Sequence, residues 1–564
     1  MPKFNQKGAQ SARKTGPVSP MTTTGTTKTF EGGAGFTRDA KSELYLTSVT
    51  NMVGEDTFYE SAREKDDRFV KLVRQVVLED PDWAFRFLGW LRNKANMRSA
   101  SVVFAAEAVK ARLDAKDSSA FDASVGGQPG YAVKLGTKDF VWQGMARADE
   151  PGEFLAYWTS KYGKNLPQPV KRGLALATNN LFNEYSYAKY GKSGAWQLSD
   201  IVNLVHPTPK DSVQGDLYRH ALNERNPRNK GKEIPESLTM LRQRKQITSA
   251  LTRDGVRALM ASDEGRERLK AAGMTWEALT GMYGELDAAF WESLIFSGQL
   301  GYMAMLRNLR NFEKAQISRE ARAQVCTRLA APGEVARSRQ FPFRFLSAYK
   351  AVESDWWSLA LSDALDHSVG NLPVFPGRTL VLVDTSASMD DPISQKSSVT
   401  HAEIGALFGV VLARAGESVD LHGFAGGSSY YSSYSFGNTY GRDKVSFKHD
   451  LPKGGSMLKG IQSFTKRIGE VGHGTQMVQA LKETYDGHDR VILVTDMQAF
   501  AAYGGDEVTS AVPADVRMYG INPSGYASTA LDLSKRNRYE VGGFSDQVFR
   551  MIRLLEAGDT NWPF

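Results

Sequence analysis

An acid and two hydroxyl side chains stand at alternate positions at the end of an apolar run. The run is the segment RTLVLVDTSASM, and the three polar residues are Asp384, Ser386 and Ser388. A continuous apolar run rich in Val and Leu is typical of a buried parallel strand. Ligands of such sheets bind at the carboxyl ends of the strands. The spacing therefore predicts an oxygen-lined site at the end of a strand.

Two further oxygen donors follow where the predicted sheet would bring them to the same edge. Asp496 closes the apolar run VILVTD, and Thr475 opens a helix after the loop GHGT. Oxygen donors with only two carboxylates suit Mg²⁺ or Mn²⁺, which retain water and accept an oxygen from outside. The sequence thus predicts a divalent-cation site formed by Asp384, Ser386, Ser388, Thr475 and Asp496. The alternative, serines that cap a helix and a surface Asp496, explains each residue but not the set.

Catalytic interpretations of the same residues have less support. A haloacid-dehalogenase phosphatase needs a second Asp two residues after the first, and that position is Ser386. The segment GEVGHGTQ lacks the Lys of a P-loop, and the eight histidines form no His-Glu-x-x-His pair. We therefore expect a protein that is not an enzyme.

Positive and aromatic side chains alternate in the middle of the chain. Lys and Arg hold phosphates while aromatic rings stack on bases, a combination typical of single-stranded RNA binding. The interleaved aromatics are Tyr185, Tyr187, Tyr190 and Trp196, of which Trp196 is expected to pack between helices. The candidate RNA-binding residues are Lys171, Arg172, Lys189, Lys192, His206 and Lys210.

Charge is unevenly distributed over the 564 residues. Residues 1–370 carry 52 Lys and Arg against 42 Asp and Glu, whereas residues 371–564 carry 18 against 21. A basic excess favours polyanions, although a solvated basic surface explains it equally well. No apolar run reaches the length of a membrane span, and the single cysteine, Cys326, allows no intrachain disulfide. We expect a soluble, cytoplasmic protein.

The composition and hydrophobic pattern of the sequence predict three regions. Residues 1–41, rich in Thr and Gly with seven Lys or Arg against two acids, indicate a flexible basic arm that orders only on a partner. Residues 42–370 give amphipathic helix after helix without a clean repeat, which indicates degenerate stacked helical hairpins. Residues 371–564 alternate strands with helices and predict a doubly wound parallel sheet. The Ser/Tyr/Gly-rich insertion 426–456 is expected to be an exposed hairpin, with a subunit contact as the alternative.

The five oxygen donors resemble the metal-ion-dependent adhesion site of von Willebrand factor A domains. The whole chain resembles the Ro autoantigen family, whose N-terminal part is the TROVE module. The resemblance is carried by EDTFYESAREKDDRF, by the stretch from Pro169 to Pro207, by MTWEALTGMYGELDAAFWESLIFSGQLGYMAMLRNLRN and by FPFRFLSAYK. It implies a fold in which a ring of HEAT-like helical repeats (residues 42–370) is followed by a von Willebrand factor A domain (residues 371–564).

The Ro resemblance also implies work on RNA. Family members bind Y RNAs on the outer basic face and thread single-stranded 3′ ends of misfolded non-coding RNAs through the ring. Bacterial members assist RNA maturation and decay, in some cases with the exoribonuclease polynucleotide phosphorylase. The family's RNA-contacting Lys and His correspond to Lys189 and His206, whereas a family Arg reads Ser193 here. The resemblance implies no membrane and no DNA partner. The competing hypothesis is a metal-dependent protein-interaction scaffold without an RNA role.

Overall fold

Helices dominate the first two thirds of the computed structural model. The structure describes residues 20–50, 54–124, 132–192, 194–250, 252–340, 342–368, 375–394, 397–426, 444–451, 455–502, 507–543, 547–557, 562 and 564. Before residue 375, the described residues form β1 Thr23–Lys28, β2 Ala34–Arg38, α1 Ala40–Thr50, α2 Ala62–Glu79, α3 Pro81–Asn93, α4 Arg98–Asp114, β3 Phe121–Ser124, β4 Ala132–Leu135, α5 Asp139–Gln143, α6 Glu150–Tyr162, α7 Gln168–Leu181, α8 Glu184–Tyr190, α9 Leu198–Val205, α10 Ser212–Arg225, α11 Thr239–Ala250, α12 Arg253–Met260, α13 Asp263–Ala271, α14 Trp276–Tyr283, α15 Ala288–Phe296, α16 Tyr302–Ala315, α17 Arg319–Ala330, α18 Pro332–Ser338, α19 Pro342–Ala351 and α20 Ser358–Ser368.

The helices follow from local sequence signals. Helix α2 begins at a capping box in which Ser61 and Glu64 exchange side-chain and backbone hydrogen bonds. Its predicted apolar stripe is buried at Phe69, Val73 and Val76. Near neighbours in sequence pack on one another, α2 on α4, α15 on α17 and α17 on α20. The predicted region of stacked helices is therefore confirmed.

A sheet with flanking helices forms the C-terminal unit. The elements are β5 Phe375–Asp384, α21 His401–Ala415, β6 Gly416–Phe424, β7 Ser446–Lys448, α22 Met457–Thr465, α23 Met477–Thr484, β8 Arg490–Val494, β9 Arg517–Asn522, β10 Ser528–Thr529, β11 Arg538–Gly542 and α24 Gln547–Ala557. The strands of the sheet run in the order β11-β9-β8-β5-β6-β7, and all neighbours are parallel except β7, which is antiparallel to β6. The prediction of a doubly wound sheet is confirmed, with one antiparallel edge strand in addition.

The predicted hairpin in the insertion is visible only at its base. Strand β7 returns beside β6, with Phe447 opposite Gly423. Residues 427–443 and 452–454 lie outside the described residues, so the tip of the insertion stays a prediction.

The prediction of a flexible basic arm is wrong for residues 20–41. Strands β1 and β2 form an antiparallel hairpin, and β2 pairs with β10 of the C-terminal unit through Thr37 and Ser528. The buried Arg38 guanidinium binds Glu540 through two hydrogen bonds of 2.7 and 2.8 Å and Glu43 through one of 2.8 Å. The hairpin is thus held by residues some 500 positions away in sequence. Residues 1–19 lie outside the described residues.

Candidate metal centre and basic cavities

The carboxyl edge of the sheet collects the predicted oxygen donors. Strand β5 ends at Asp384, and β8 ends two residues before Asp496. The two strands are parallel neighbours, with Val383 opposite Val494, so their ends lie side by side. Both aspartates have no exposed surface at all.

Hydrogen bonds fix the orientation of Asp384. The Ser386 amide donates to Asp384 Oδ1 at 2.8 Å, and the Thr495 hydroxyl donates to Oδ2 at 2.6 Å. The hydroxyl oxygens of Ser386 and Ser388 lie 3.3 Å apart on the same turn. The alternation of Asp384, Ser386 and Ser388 therefore aims all three side chains into one buried space, as the spacing predicted.

The loop that carries Thr475 lies between the other two loops. The Ala387 amide donates to the His473 carbonyl at 3.0 Å, and the Phe500 amide donates to the Thr475 carbonyl at 3.1 Å. Thr475 is itself buried. The structure therefore brings the five predicted residues to one edge of the sheet.

Asp496 retains one carboxyl oxygen that lacks a strong partner. Its Oδ1 accepts a hydrogen bond of 3.0 Å from the Gln498 amide. Its buried Oδ2 accepts no hydrogen bond of ordinary geometry among the described residues, although the Ser388 hydroxyl is near enough to favour the charged form. A buried oxygen without a partner is costly unless something else satisfies it.

Burial disfavours the charged form of both aspartates. Burial raises the pKa of Asp384 above its ordinary value. Burial, and then repulsion from Asp384, raises the pKa of Asp496 as well. Two buried carboxylates and three hydroxyls fit the oxygen preference of Mg²⁺ or Mn²⁺, whose charge would offset this repulsion. Among the described residues, no three His, Cys, Asp or Glu side chains gather as a metal cluster, so the hydroxyls would have to supply ligands.

Several neighbours of this edge escaped the sequence analysis. Thr495 orients Asp384, but a Thr inside an apolar run gives no signal of this role. The turn between β1 and β2 covers the loop after Asp496, and its Glu31 raises the pKa of both aspartates. The signal for this turn was present in the sequence, since Glu-Gly-Gly between Thr-rich stretches is typical of a hairpin.

Two cavities meet at Lys189 on the helical region. One has a volume of about 480 Å³, and Lys192 lines it together with Arg244 and Lys245. The other has a volume of about 900 Å³ and contains the aromatic rings of Tyr185, Tyr190, Trp276 and Tyr302. Three arginines that the sequence analysis missed, Arg147, Arg307 and Arg337, line this larger cavity together with the acids Asp149, Glu277 and Glu334.

The six candidate RNA-binding residues do not form one cluster. Lys189 and Lys192 share a cavity, whereas the other four line neither of the two cavities. These four are Lys171, Arg172, His206 and Lys210, all exposed or half-buried. Lys189 lies 3.7 Å from Glu277, and Lys192 lies 3.1 Å from Glu224. Trp196 is partly buried against the core, as expected for a packing residue.

Comparison with known proteins agrees with this architecture. Residues 165–369 match the family model described as TROVE domain. Telomerase protein component 1 from Mus musculus is 44% identical over 79 residues, and the protein of the same name from Rattus norvegicus is equally similar. The match covers 14% of this chain and about 3% of the length of those relatives.

A solved structure extends the comparison to most of the chain. The crystal structure of the Deinococcus radiodurans Ro (RSR) protein aligns with a TM-score of 0.59 at 17% identity. The alignment covers 92% of this chain and 100% of the Deinococcus chain. None of the described helices is both long and apolar enough to cross a membrane. Residues 165–369 thus match a TROVE domain, and the chain shares the fold of the Ro protein.

Proposed function

We propose that the chain is a non-catalytic RNA-binding protein of the Ro type, acting in RNA quality control or maturation. It takes Y-like or misfolded non-coding RNA, with single-stranded 3′ ends inside the helical ring and structured RNA on the outer basic face. The observation that carries the proposal is the pair of basic, aromatic-lined cavities that meet at Lys189 within the matched TROVE segment.

The chemistry of the larger cavity suits unpaired nucleotides. Its arginines offer planar donors for phosphate oxygens, and its tyrosines and Trp276 offer ring faces for bases. The carboxylates beside Lys189 and Lys192 are partly exposed, and such ion pairs contribute only about 0–1 kcal/mol. A phosphate can therefore replace Glu277 or Glu224 at small cost.

We further propose that the carboxyl edge of the sheet binds Mg²⁺ or Mn²⁺. Asp384, Ser386, Ser388, Thr475 and Asp496 would hold the ion, directly or through water. The unsatisfied Asp496 Oδ2 supports this assignment. A bound divalent cation would accept one further oxygen ligand from outside the protein. The surrounding residues would orient that oxygen ligand and exclude bulk water.

The remaining proposals depend on the Ro resemblance. A degradative exoribonuclease such as polynucleotide phosphorylase is the expected protein partner, and the expected location is the cytoplasm. The second candidate function is a metal-dependent protein-interaction scaffold. The buried oxygen donors at Asp384 and Asp496 favour it, since such a site can grip an acidic side chain.

Photocrosslinking in the protein's own cells tests the RNA function. Purified protein should retain nuclease-sensitive RNA, and mass spectrometry should map crosslinked nucleotides to peptides that carry Tyr190, Trp276 or Tyr302. Sequencing of the crosslinked RNA would then identify the substrate. Protein that carries no RNA, or crosslinks confined to the C-terminal unit, would contradict the proposal and favour the scaffold.

A further inference from the structure

The turn between β1 and β2 brings an acidic side chain to the candidate metal centre. We propose that Glu31 is an internal ligand of this centre, taking the place that an acidic residue of another protein would otherwise occupy. The inference rests on the proposed metal site. It adds that the site is closed by the chain's own N-terminal hairpin, so the ion fastens this hairpin to the sheet.

The turn is seated on the loop that follows Asp496. The Thr29 hydroxyl and the Gly33 amide donate to the Ala499 carbonyl at 2.6 and 3.2 Å. The Phe30 amide donates to Gln498 Oε1 at 2.9 Å. A Cβ atom on Gly33 would lie 2.3 Å from the Ala499 carbonyl oxygen, so this close approach requires glycine. These contacts fix the backbone on both sides of Glu31.

The side chain of Glu31 is held on the same side as the serines. The Tyr59 hydroxyl donates to Glu31 Oε1 and lies close to the Ser388 hydroxyl. The Tyr59 ring stacks on Phe30 at 5.0 Å between centroids and meets Tyr526 edge-on at 5.1 Å. Tyr59 thus links Glu31 to the turn that carries Ser388.

Three carboxylates, Glu31, Asp384 and Asp496, belong to this edge of the sheet. The Gln498 side chain accepts a hydrogen bond from the Phe30 amide, and the Gln498 amide donates to Asp496 Oδ1, so one residue connects the turn of Glu31 to Asp496. In the described part of the chain, none of the three forms an ion pair with Lys or Arg. Three neighbouring carboxylates without a positive partner repel one another, and a divalent ion would reverse the sign of that interaction.

The geometry also limits how Glu31 reaches the ion. The three carboxylates do not gather as one metal cluster in the described residues. Glu31 would therefore bind through a water molecule or after a small inward shift of the turn. Mg²⁺ commonly keeps several waters, so an indirect contact is compatible with its chemistry.

A charge-neutral substitution separates this role from the metal site itself. Mn²⁺ affinity, measured by isothermal titration calorimetry and by electron paramagnetic resonance of free Mn²⁺, should fall about tenfold in Glu31→Gln. The matched control is Glu79→Gln, an exposed acid on α2 that accepts a hydrogen bond from Gln75. It should bind Mn²⁺ as the unaltered protein does. Equal affinities in the unaltered protein, Glu31→Gln and the control would overturn the inference while leaving the metal site intact.

Thermal unfolding provides a second test. The difference in unfolding temperature between Glu31→Gln and the unaltered protein should have opposite signs with EDTA and with Mg²⁺. With EDTA, Glu31→Gln should unfold at a higher temperature than the unaltered protein, because one repelling carboxylate is gone. With 5 mM Mg²⁺ the order should reverse, because the bridging ligand is gone. The same order in both buffers would contradict the inference, and a Mg²⁺-independent melting temperature of the unaltered protein would overturn the inference and the metal site together.

Hydrogen exchange of the unaltered protein provides a test that needs no variant. Mg²⁺ should slow exchange of the amides of residues 23–38 as well as those of the loops at Asp384 and Asp496. Slowing at the loops alone would show that the ion binds without engaging the hairpin, which would overturn the inference.

Discussion

The candidate metal centre and the basic cavities are built in opposite ways. The donors of the metal centre are buried, and their orientation is fixed by short hydrogen bonds such as that from Thr495 to Asp384. The cavity lysines are exposed and paired with acids that phosphate can replace. Buried groups cannot be satisfied by water, so loss of one partner is costly, whereas solvent and salt compensate for loss of a surface contact. Substitutions should therefore act strongly on the first region and mildly on the second.

The buried network that joins the N-terminal hairpin to β11 should give the largest effect. Arg38→Met leaves Glu540 without the guanidinium that it now binds, whereas Glu43 keeps its ion pair with Arg68. Removing one partner of a buried ion pair costs about 3–5 kcal/mol. We expect a loss of this size in the free energy of unfolding of the C-terminal unit, measured by urea denaturation. Arg63→Ala, at an exposed Arg beside Asp67, should leave stability unchanged. An equal loss of unfolding free energy in both variants would show that burial does not determine how much an ion pair contributes to stability.

The next effect concerns the metal centre itself. Asp384→Ala removes one of two carboxylates, and we expect at least a hundredfold loss of Mg²⁺ affinity, equivalent to about 3 kcal/mol. RNA affinity should stay within twofold, because the cavities lie in the helical region. Calorimetry with Mg²⁺ and fluorescence anisotropy with labelled RNA measure the two effects. A parallel loss of RNA binding would show that the two regions are coupled.

A third effect lies at the first turn of α21, where His401 is buried and contacts Ser524. Burial lowers the pKa of His401 to about 4, against about 6.5 in an unfolded chain. Below pH 6.5 the unfolded state therefore binds the proton more strongly, and stability falls as the pH drops towards 4. The loss at pH 4.5 should be about 2 kcal/mol, and His401→Gln should lose less stability over this interval. An unchanged slope in the variant would assign the acid sensitivity to other groups.

The two regions also differ in what the sequence reveals about them. Asp384, Ser386 and Ser388 were predictable because one strand and one turn fix their relative positions. Thr475 and Asp496 followed from the rule that strand ends share an edge. Trp276, Arg307 and Arg337 reach the larger cavity from helices far along the chain, and only tertiary packing places them beside Lys189.

The hairpin of residues 23–38 shows how composition can mislead. A Thr- and Gly-rich segment has little to bury by itself, which indicated a flexible arm. However, threonine favours strands, and β2 obtains its partners from β10 and Glu540 at the other end of the chain. The same distance in sequence hid the approach of Glu31 to the metal centre.

The smallest effect is expected at the cavities. Lys189→Ala with Lys192→Ala should weaken binding of single-stranded RNA about tenfold at low salt and by a similar factor for every sequence, because phosphate contacts do not read bases. Each phosphate contact contributes about 0.7 to the slope of log affinity against log salt for single strands, so the slope should fall by about 1.4. Fluorescence anisotropy from 50 to 300 mM salt measures both quantities.

The control for this variant removes equal charge elsewhere in the helical region. Lys270→Ala with Lys314→Ala removes two exposed lysines that also pair with acids, Glu267 and Glu285, but line neither cavity. If affinity depended only on the overall basic charge, both double variants would weaken binding equally. If the cavities are the binding surface, the control should keep the original slope. A large loss of RNA affinity in both double variants would favour binding to a diffuse basic surface. An unchanged salt slope in both double variants would show that RNA binds elsewhere on the protein.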